Sequence, residues 1–223
     1  MLLAVDTSTQ WMGICLYDDA MVIAETIWRT SAHHTVELAP EIDRMLAHCG
    51  LKPENIKQLA IATGPGSFTG LRIGMAVIKG MALALNATVI GIPTLDIIAL
   101  PQPILEMPLI AVLQAGRGRL AAARYHATDG VWAQETPPQV FSPDDFAESI
   151  HESVYICGEL SNEERNQLSK KRKKVILASP ANSTRRPSFL AELAWKRALR
   201  GEKDDIATLA PSYLHITGAE IAK

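Results

Sequence analysis

Apolar and polar positions in the first hundred residues form short blocks whose period changes from two to nearly four. Leu2 to Thr7 reads as a buried strand, and Met12 to Tyr17 and Met21 to Trp28 as two more, joined by Asp18-Asp19-Ala20. Short apolar runs separated by a turn-forming pair of acids predict an antiparallel meander. Val36, Ala39, Ile42, Met45, Leu46 and Cys49 then recur at helical spacing, with Gly50 as the stop signal. Pro40 lies inside this pattern. Its ring removes the amide bond to the Val36 carbonyl, so the helix kinks there or starts close to it. A strand near 58–62, a glycine loop, a second helix and a strand near 88–92 complete a β-β-β-α-β-α-β unit, and Thr94 is an N-cap candidate for a short helix.

Pro101, Pro103 and Pro108 mark a boundary. The expected organisation is a first lobe over 1–100, a proline-rich connection over 101–108 and a second, reduced lobe over 109–223. In the second lobe strands are predicted at 109–113, 120–125, 154–157 and 175–178. Ser142-Pro143-Asp144-Asp145 places a cap, a first-turn proline and two acids in helix-starting order, and Ser161-Asn162-Glu163-Glu164 is a capping box. A last helix runs from about Pro187 to Arg200, with Gly201 as terminator. No internal repeat is visible; whether the two halves share a fold stays open.

The loop Gly64-Pro65-Gly66-Ser67-Phe68-Thr69-Gly70 cannot extend the strand before it, and Ser67 or Thr69 is placed to cap the following helix. A helix N-terminus behind a glycine loop is a conceivable anion site. The spacing fits neither common phosphate fingerprint: Leu71 stands where a Walker loop needs lysine, and Gly70 comes one residue late for a dinucleotide loop. Turn geometry and close packing are the preferred reading of the glycines. From Gly70 to Asn86 the strongly polar residues are Arg72, Lys79 and Asn86, seven apart. A cylinder apolar nearly all round must be covered on more than one side, by its own core or by a partner.

Composition narrows the field. The 223 residues are 48% apolar, ample for a core, and 22 basic side chains nearly balance 24 acidic ones. That balance excludes a chain that binds nucleic acid over its whole surface. Residues 1–100 carry 6 basic and 9 acidic groups against 16 and 15 in the remainder, so any RNA contact is expected in the second half. Cys15, Cys49 and Cys157 are odd in number and widely spaced, which predicts buried thiols in a reducing cytosol. No basic leader or uncharged eighteen-residue span is visible, and the chain is expected to be soluble and cytoplasmic.

Leu3-Ala4-Val5-Asp6-Thr7-Ser8-Thr9, His34-Thr35 with Leu38, Pro40 and Ile42, the glycine loop running on through Leu71-Arg72-Ile73-Gly74, and Pro211-Ser212-Tyr213-Leu214 together resemble the TsaB (YeaZ) family. The likeness is strong over residues 1–100 and loose beyond. It implies an α/β fold of the actin-like ATPase superfamily (ASKHA, ribonuclease H-like), two-lobed with a reduced second lobe. It also implies a non-catalytic subunit for making threonylcarbamoyladenosine at tRNA position 37. In that family the chain pairs with the catalytic paralogue TsaD, works with the ATPase TsaE, meets tRNA indirectly through the complex, and forms homodimers when alone. No cofactor is expected.

The partner surface is expected on Val36, Ile42, Leu46, Ile73, Val77 and Met81. Asp6 ends the first strand, where the superfamily keeps an acid near phosphate and metal, and Thr7 and Ser8 are candidate phosphate donors. The same triplet is also an ordinary turn that bonds to its own backbone. Gln114 stands where many relatives carry aspartate and is a poor ligand for hydrated magnesium, which argues against hydrolysis. His33-His34 lack helical metal-ligand spacing and suit a surface or capping role. Lys170, Lys171, Arg172, Lys173 and Lys174 read first as a solvated helix end and second as a tRNA phosphate contact, with Arg185-Arg186 as supporting charges. Two alternatives remain at this level: an independent small ATPase or carbamoyl-transfer enzyme using Asp6, and a plain RNA-binding module.

Overall fold

The computed structural model describes residues 1–30, 34–171 and 174–214. Its strands form two sheets. The first contains β1 (Leu2–Asp6), β2 (Trp11–Asp18), β3 (Met21–Arg29), β4 (Gln58–Gly64) and β5 (Thr88–Pro93) in the order β3-β2-β1-β4-β5. The second contains β6 (Leu109–Gln114), β7 (Leu120–Thr128), β8 (Val131–Gln134), β9 (Gln139–Phe141), β10 (Val154–Gly158) and β11 (Val175–Leu177). Its order is β11-β10-β6-β7-β8, with β9 added to β7. Setting β6 against β1, both sheets run antiparallel on one side and parallel on the other. The two halves therefore repeat one ribonuclease H-like topology.

Alternation along β1 explains how the first sheet is covered. Leu3 and Val5 enter one core and Leu2 and Ala4 another, because successive side chains of a central strand point to opposite faces. The first face is covered by α1 (His34–His48) and α2 (Phe68–Leu85), which bring Leu38, Ile42, Met45, Leu46, Met75 and Ile78. Each large side chain so buried is worth about 1.5–3 kcal/mol. α1 continues through Pro40 and begins six residues before it.

Three short helices serve the second sheet: α3 (Thr94–Ala99), α4 (Pro143–Glu148) and α5 (Asn162–Ser169). Leu95, Ile98 and Ala99 of α3 join the core of the second sheet while Ile97 joins the first, so α3 stands between the lobes. The caps at Ser142 and Ser161 form as the sequence predicts. Thr94 does not cap α3; its hydroxyl is used by the glycine loop instead.

The lobe boundary needs one correction. The proline-rich segment does separate the sheets, but α6 (Pro187–Leu199) returns to the first lobe, where Leu190, Ala191 and Ala194 cover the second face of its sheet. The strap beyond α6 follows it: Asp204 accepts from the Gly91 amide at 2.7 Å, and the Ser212 amide donates to the Thr63 carbonyl at 2.7 Å. Assigning all of 109–223 to a second lobe was too simple, because an apolar helix goes to whichever sheet face is uncovered.

Among the described residues, α2 is covered on one side only. Leu71, Met75, Ile78 and Ala82 lie on the sheet, yet only a third of the helix is buried and Leu83 is 75% exposed.

Candidate functional site

β1, the central strand, ends at Asp6, and Asp6, Thr7, Ser8 and Thr9 are all buried. Asp6 Oδ1 accepts from the Ser8 amide at 2.8 Å, the local turn that Asp-Thr-Ser favours. The other side of the carboxylate is held by Arg185, which precedes α6. Its Nε makes a short contact with Asp6 Oδ2, its Nη2 reaches Thr9 Oγ1 and the Trp11 carbonyl at 3.1 Å each, and its Nη1 pairs with Glu159. Glu159 follows β10 in the second lobe, and Thr9 Oγ1 donates to it at 2.8 Å. Burial alone works against the guanidinium charge, but the charges and hydrogen bonds of Asp6 and Glu159 outweigh it and raise Arg185 above the ordinary arginine value.

The hydroxyls are committed as well. Thr7 Oγ1 donates to the Gly70 carbonyl at 2.8 Å, Ser8 Oγ lies 3.0 Å from Thr94 Oγ1, and the Gly64 amide donates to that same Thr94 oxygen at 3.0 Å. Asp6, Thr7 and Ser8 thus form a buried junction whose side-chain polar groups have partners within the chain.

The glycine loop is explained by that junction. A Cβ on Gly66 would sit 2.3 Å from the Ser8 carbonyl oxygen, and one on Gly74 2.2 Å from Thr7 Oγ1. Close approach to the end of β1 is what these positions require. Ser67 caps α2 by accepting from the Gly70 amide at 3.2 Å, and the Ser67 amide itself donates to the Ser8 carbonyl. The amides of Gly64, Ser67 and Gly70 are thus bonded within the chain.

In the second lobe Gln114, at the end of β6, occupies the place that Asp6 has at the end of β1. Its amide donates to Glu164 at 2.9 Å, and Glu164 in turn accepts from the Ser161 amide at 2.6 Å. Gly64 and Gly158 also correspond, closing β4 and β10 with φ of 115° and 117°. His34, expected at the surface or as a cap, is buried with Nε2 2.9 Å from the Thr9 carbonyl oxygen, and His33 lies outside the described residues.

The expected partner surface divides. Ile42 and Leu46 belong to the first core, at 5% and 3% exposure, and are corrected to structural residues: they sit on the one apolar face of α1, which its own sheet takes. Val36 is 66% exposed. Ile73, Val77 and Met81 are half-buried, the latter two against the first core. The exposed stripe of α2 runs one step round from them, through Ala76, Gly80 and Leu83. At its start Arg72 lies 3.8 Å over the ring of Phe68 and donates to the Tyr213 hydroxyl at 3.0 Å.

Lys170 is the C-cap of α5 and Lys171 follows it, and Lys174 precedes β11, donating to the His151 carbonyl at 2.8 Å; Arg172 and Lys173 lie outside the described residues. The charges that were to support a tRNA contact are corrected: Arg185 is buried, and Arg186 is paired with Glu25. Glu159 went unnoticed in the sequence, where it is one acid among many. Among the described residues no three His, Cys, Asp or Glu side chains group as metal ligands.

Comparison with known proteins agrees with this arrangement. The family model described as TsaD, tRNA N6-adenosine threonylcarbamoyltransferase, matches residues 28–223. The tRNA threonylcarbamoyladenosine biosynthesis protein TsaB of Bacillus subtilis is 28% identical over 223 residues, 98% of this chain and 96% of the relative. TsaB of Escherichia coli is 31% identical over 156 residues, 69% of this chain and 65% of the relative. In structure, YeaZ from Pseudomonas aeruginosa superposes with a TM-score of 0.75 at 21% identity, covering 96% of this chain and 99% of that one, which establishes a shared fold. A family model matched over most of the sequence, relatives that share the TsaB name, and a fold common to YeaZ lead to one conclusion: this chain belongs to the TsaB (YeaZ) family of TsaD-like proteins.

Proposed function

We propose that the chain is a non-catalytic subunit in the synthesis of threonylcarbamoyladenosine at tRNA position 37, pairing with the catalytic paralogue TsaD and serving the complex that includes TsaE. The observation that carries this reading is the uncovered apolar side of α2, where Leu83 is 75% exposed beside the small residues Ala76 and Gly80. A helix of this composition exposed to water on one side is suited to pack on another helix, and the two small residues let a partner backbone come close. α1 lies next to it, and the exposed Val36 of α1 sits on its other side, over Trp28 and Arg29 of β3. Alone, the same face would join two copies; tRNA would be met through the complex, with any help from Lys170, Lys171, Arg172, Lys173 and Lys174 secondary. The ion pair of Asp6 with Arg185 supports this reading over an independent ATPase that uses Asp6.

Pairing is the test. Leu83→Glu places an uncompensated charge in the contact, which costs roughly 3 kcal/mol or about a hundredfold in affinity. Size-exclusion chromatography with purified TsaD should show the complex with the parent chain and not with the variant, while circular dichroism of the variant stays unchanged. An intact complex with the variant would remove α2 from the interface.

A further inference from the structure

Between α3, α6, β7 and β8, Asp96, Leu100, Tyr125, Trp132, Gln134 and Leu193 line a cavity of about 140 Å³. At about 30 Å³ for a water molecule, the space suits a body of roughly five or six heavy atoms. None of these residues belongs to the Asp6 junction, which α3 meets through Thr94 instead.

The polar groups of the lining are unevenly committed. Tyr125 gives its hydroxyl to Asp96 Oδ1 at 2.7 Å, and Trp132 gives its indole N–H to the Gln102 carbonyl at 3.2 Å, so both rings have only carbon surface left to offer. Gln134 spends Nε2 on the Thr136 carbonyl at 2.8 Å and keeps Oε1 as an acceptor. Asp96 Oδ2 has no hydrogen-bond partner among the described residues, and no basic side chain there pairs with the carboxylate. Burial lifts this carboxyl above its ordinary value of 3.8, with the Tyr125 bond offsetting part. An asparagine carbonyl would satisfy the phenol equally well. A carboxylate at this place adds a charge that burial disfavours and that no group of the lining balances.

The cavity thus presents an anion, an amide, two aromatic rings and aliphatic walls, and no positive charge. That combination selects an organic cation: the carboxylate takes the charge, the rings favour it, and the aliphatic walls take an alkyl body. We infer that this cavity binds a primary alkylammonium group, with Asp96 as counter-ion and Tyr125 and Trp132 as aromatic walls. Ligands that carry a carboxylate or phosphate would set like charge against Asp96 and be rejected. The inference does not rest on the subunit reading.

Titration of the isotope-labelled full chain with n-butylamine at pH 7, read from amide chemical shifts and matched against sodium chloride, tests it. The amine should give saturable shifts centred on α3, β7 and β8, with roughly millimolar affinity for so small a ligand. 1-Butanol, which has the same shape without the charge, should bind about tenfold more weakly or less. Asp96→Asn keeps an acceptor for Tyr125 and should lose about tenfold or more in affinity for the amine. Equal binding of amine and alcohol, unchanged affinity in Asp96→Asn, or no saturable shift in the parent would overturn the inference. Should Asp96→Asn fail to fold, the comparison of amine with alcohol on the parent chain decides. Nα-acetyl-lysine methylamide then identifies the source of the group: affinity matching that of butylamine supports a lysine side chain as ligand, and weaker binding supports a free amine.

Discussion

A Cβ built on Gly70 would stand 2.2 Å from the carbonyl oxygen of Thr7, so the first turn of α2 rests directly on the backbone that leaves β1. That contact, with the Thr7 hydroxyl bonded to the Gly70 carbonyl, fixes the position of α2 relative to the sheet. Gly80 stands in open space, ten residues along the same helix.

The two glycines should therefore respond oppositely to alanine. Gly70→Ala is expected to destabilise the chain by about 1–3 kcal/mol or more, as overpacking against backbone does. Gly80→Ala should stabilise it by roughly 0.5–1 kcal/mol through helix propensity. Urea unfolding of each variant measures both. A Gly70→Ala chain as stable as the parent would refute the packing account of the loop.

Much of this was legible in the sequence, and the misses have physical causes. β1, the meander and α2 announce themselves because apolar runs are bounded by residues that cannot continue them. Ile42 and Leu46 were misread as partner surface although α1 has a single apolar face, which its own sheet was bound to take. On α2 the sequence carries no such mark, since apolar residues surround the cylinder, and only coordinates separate buried Ile78 from exposed Leu83. β8 was missed even though Asp129-Gly130, with φ of 52° and 76°, is a readable hairpin turn. Arg185 meeting Asp6 could not be read, because nothing local reveals that α6 crosses back to the first lobe.

Acid should weaken the packing of α6 through Glu25. This β3 residue accepts from Arg186 and, at 2.8 Å, from the Ser188 amide in the first turn of α6. Burial opposes its ionised form, but the bonds from Arg186 and Ser188 outweigh it and hold the carboxyl below its ordinary value of 4.5. A carboxyl lowered by folding adds stability above its unfolded value and gives it up as pH falls through the folded one. Glu25→Gln should thus be less stable than the parent at pH 7, with the gap closing below about 4.5. A gap that stays constant or widens with acid would contradict this assignment.

The three thiols should separate by reactivity. Burial pushes Cys15 up to about 12, with Glu25 adding to it and Arg186 offsetting part, and burial raises Cys157 as well. Cys49 is half-buried at the end of α1. Ellman's reagent at pH 8 should modify one thiol readily in the folded chain and the other two only as it unfolds. Rapid reaction of all three would mean the strands carrying Cys15 and Cys157 are less protected than described.

The most direct measurement is reconstitution of tRNA threonylcarbamoylation from purified TsaD, TsaE, the adenylate-forming enzyme, tRNA, threonine, bicarbonate and ATP, with this chain added, omitted, or replaced by Leu83→Glu. The account predicts modified tRNA only with the parent chain and its loss with the variant. Equal modification in all three reactions would contradict a role as an obligate subunit acting through α2.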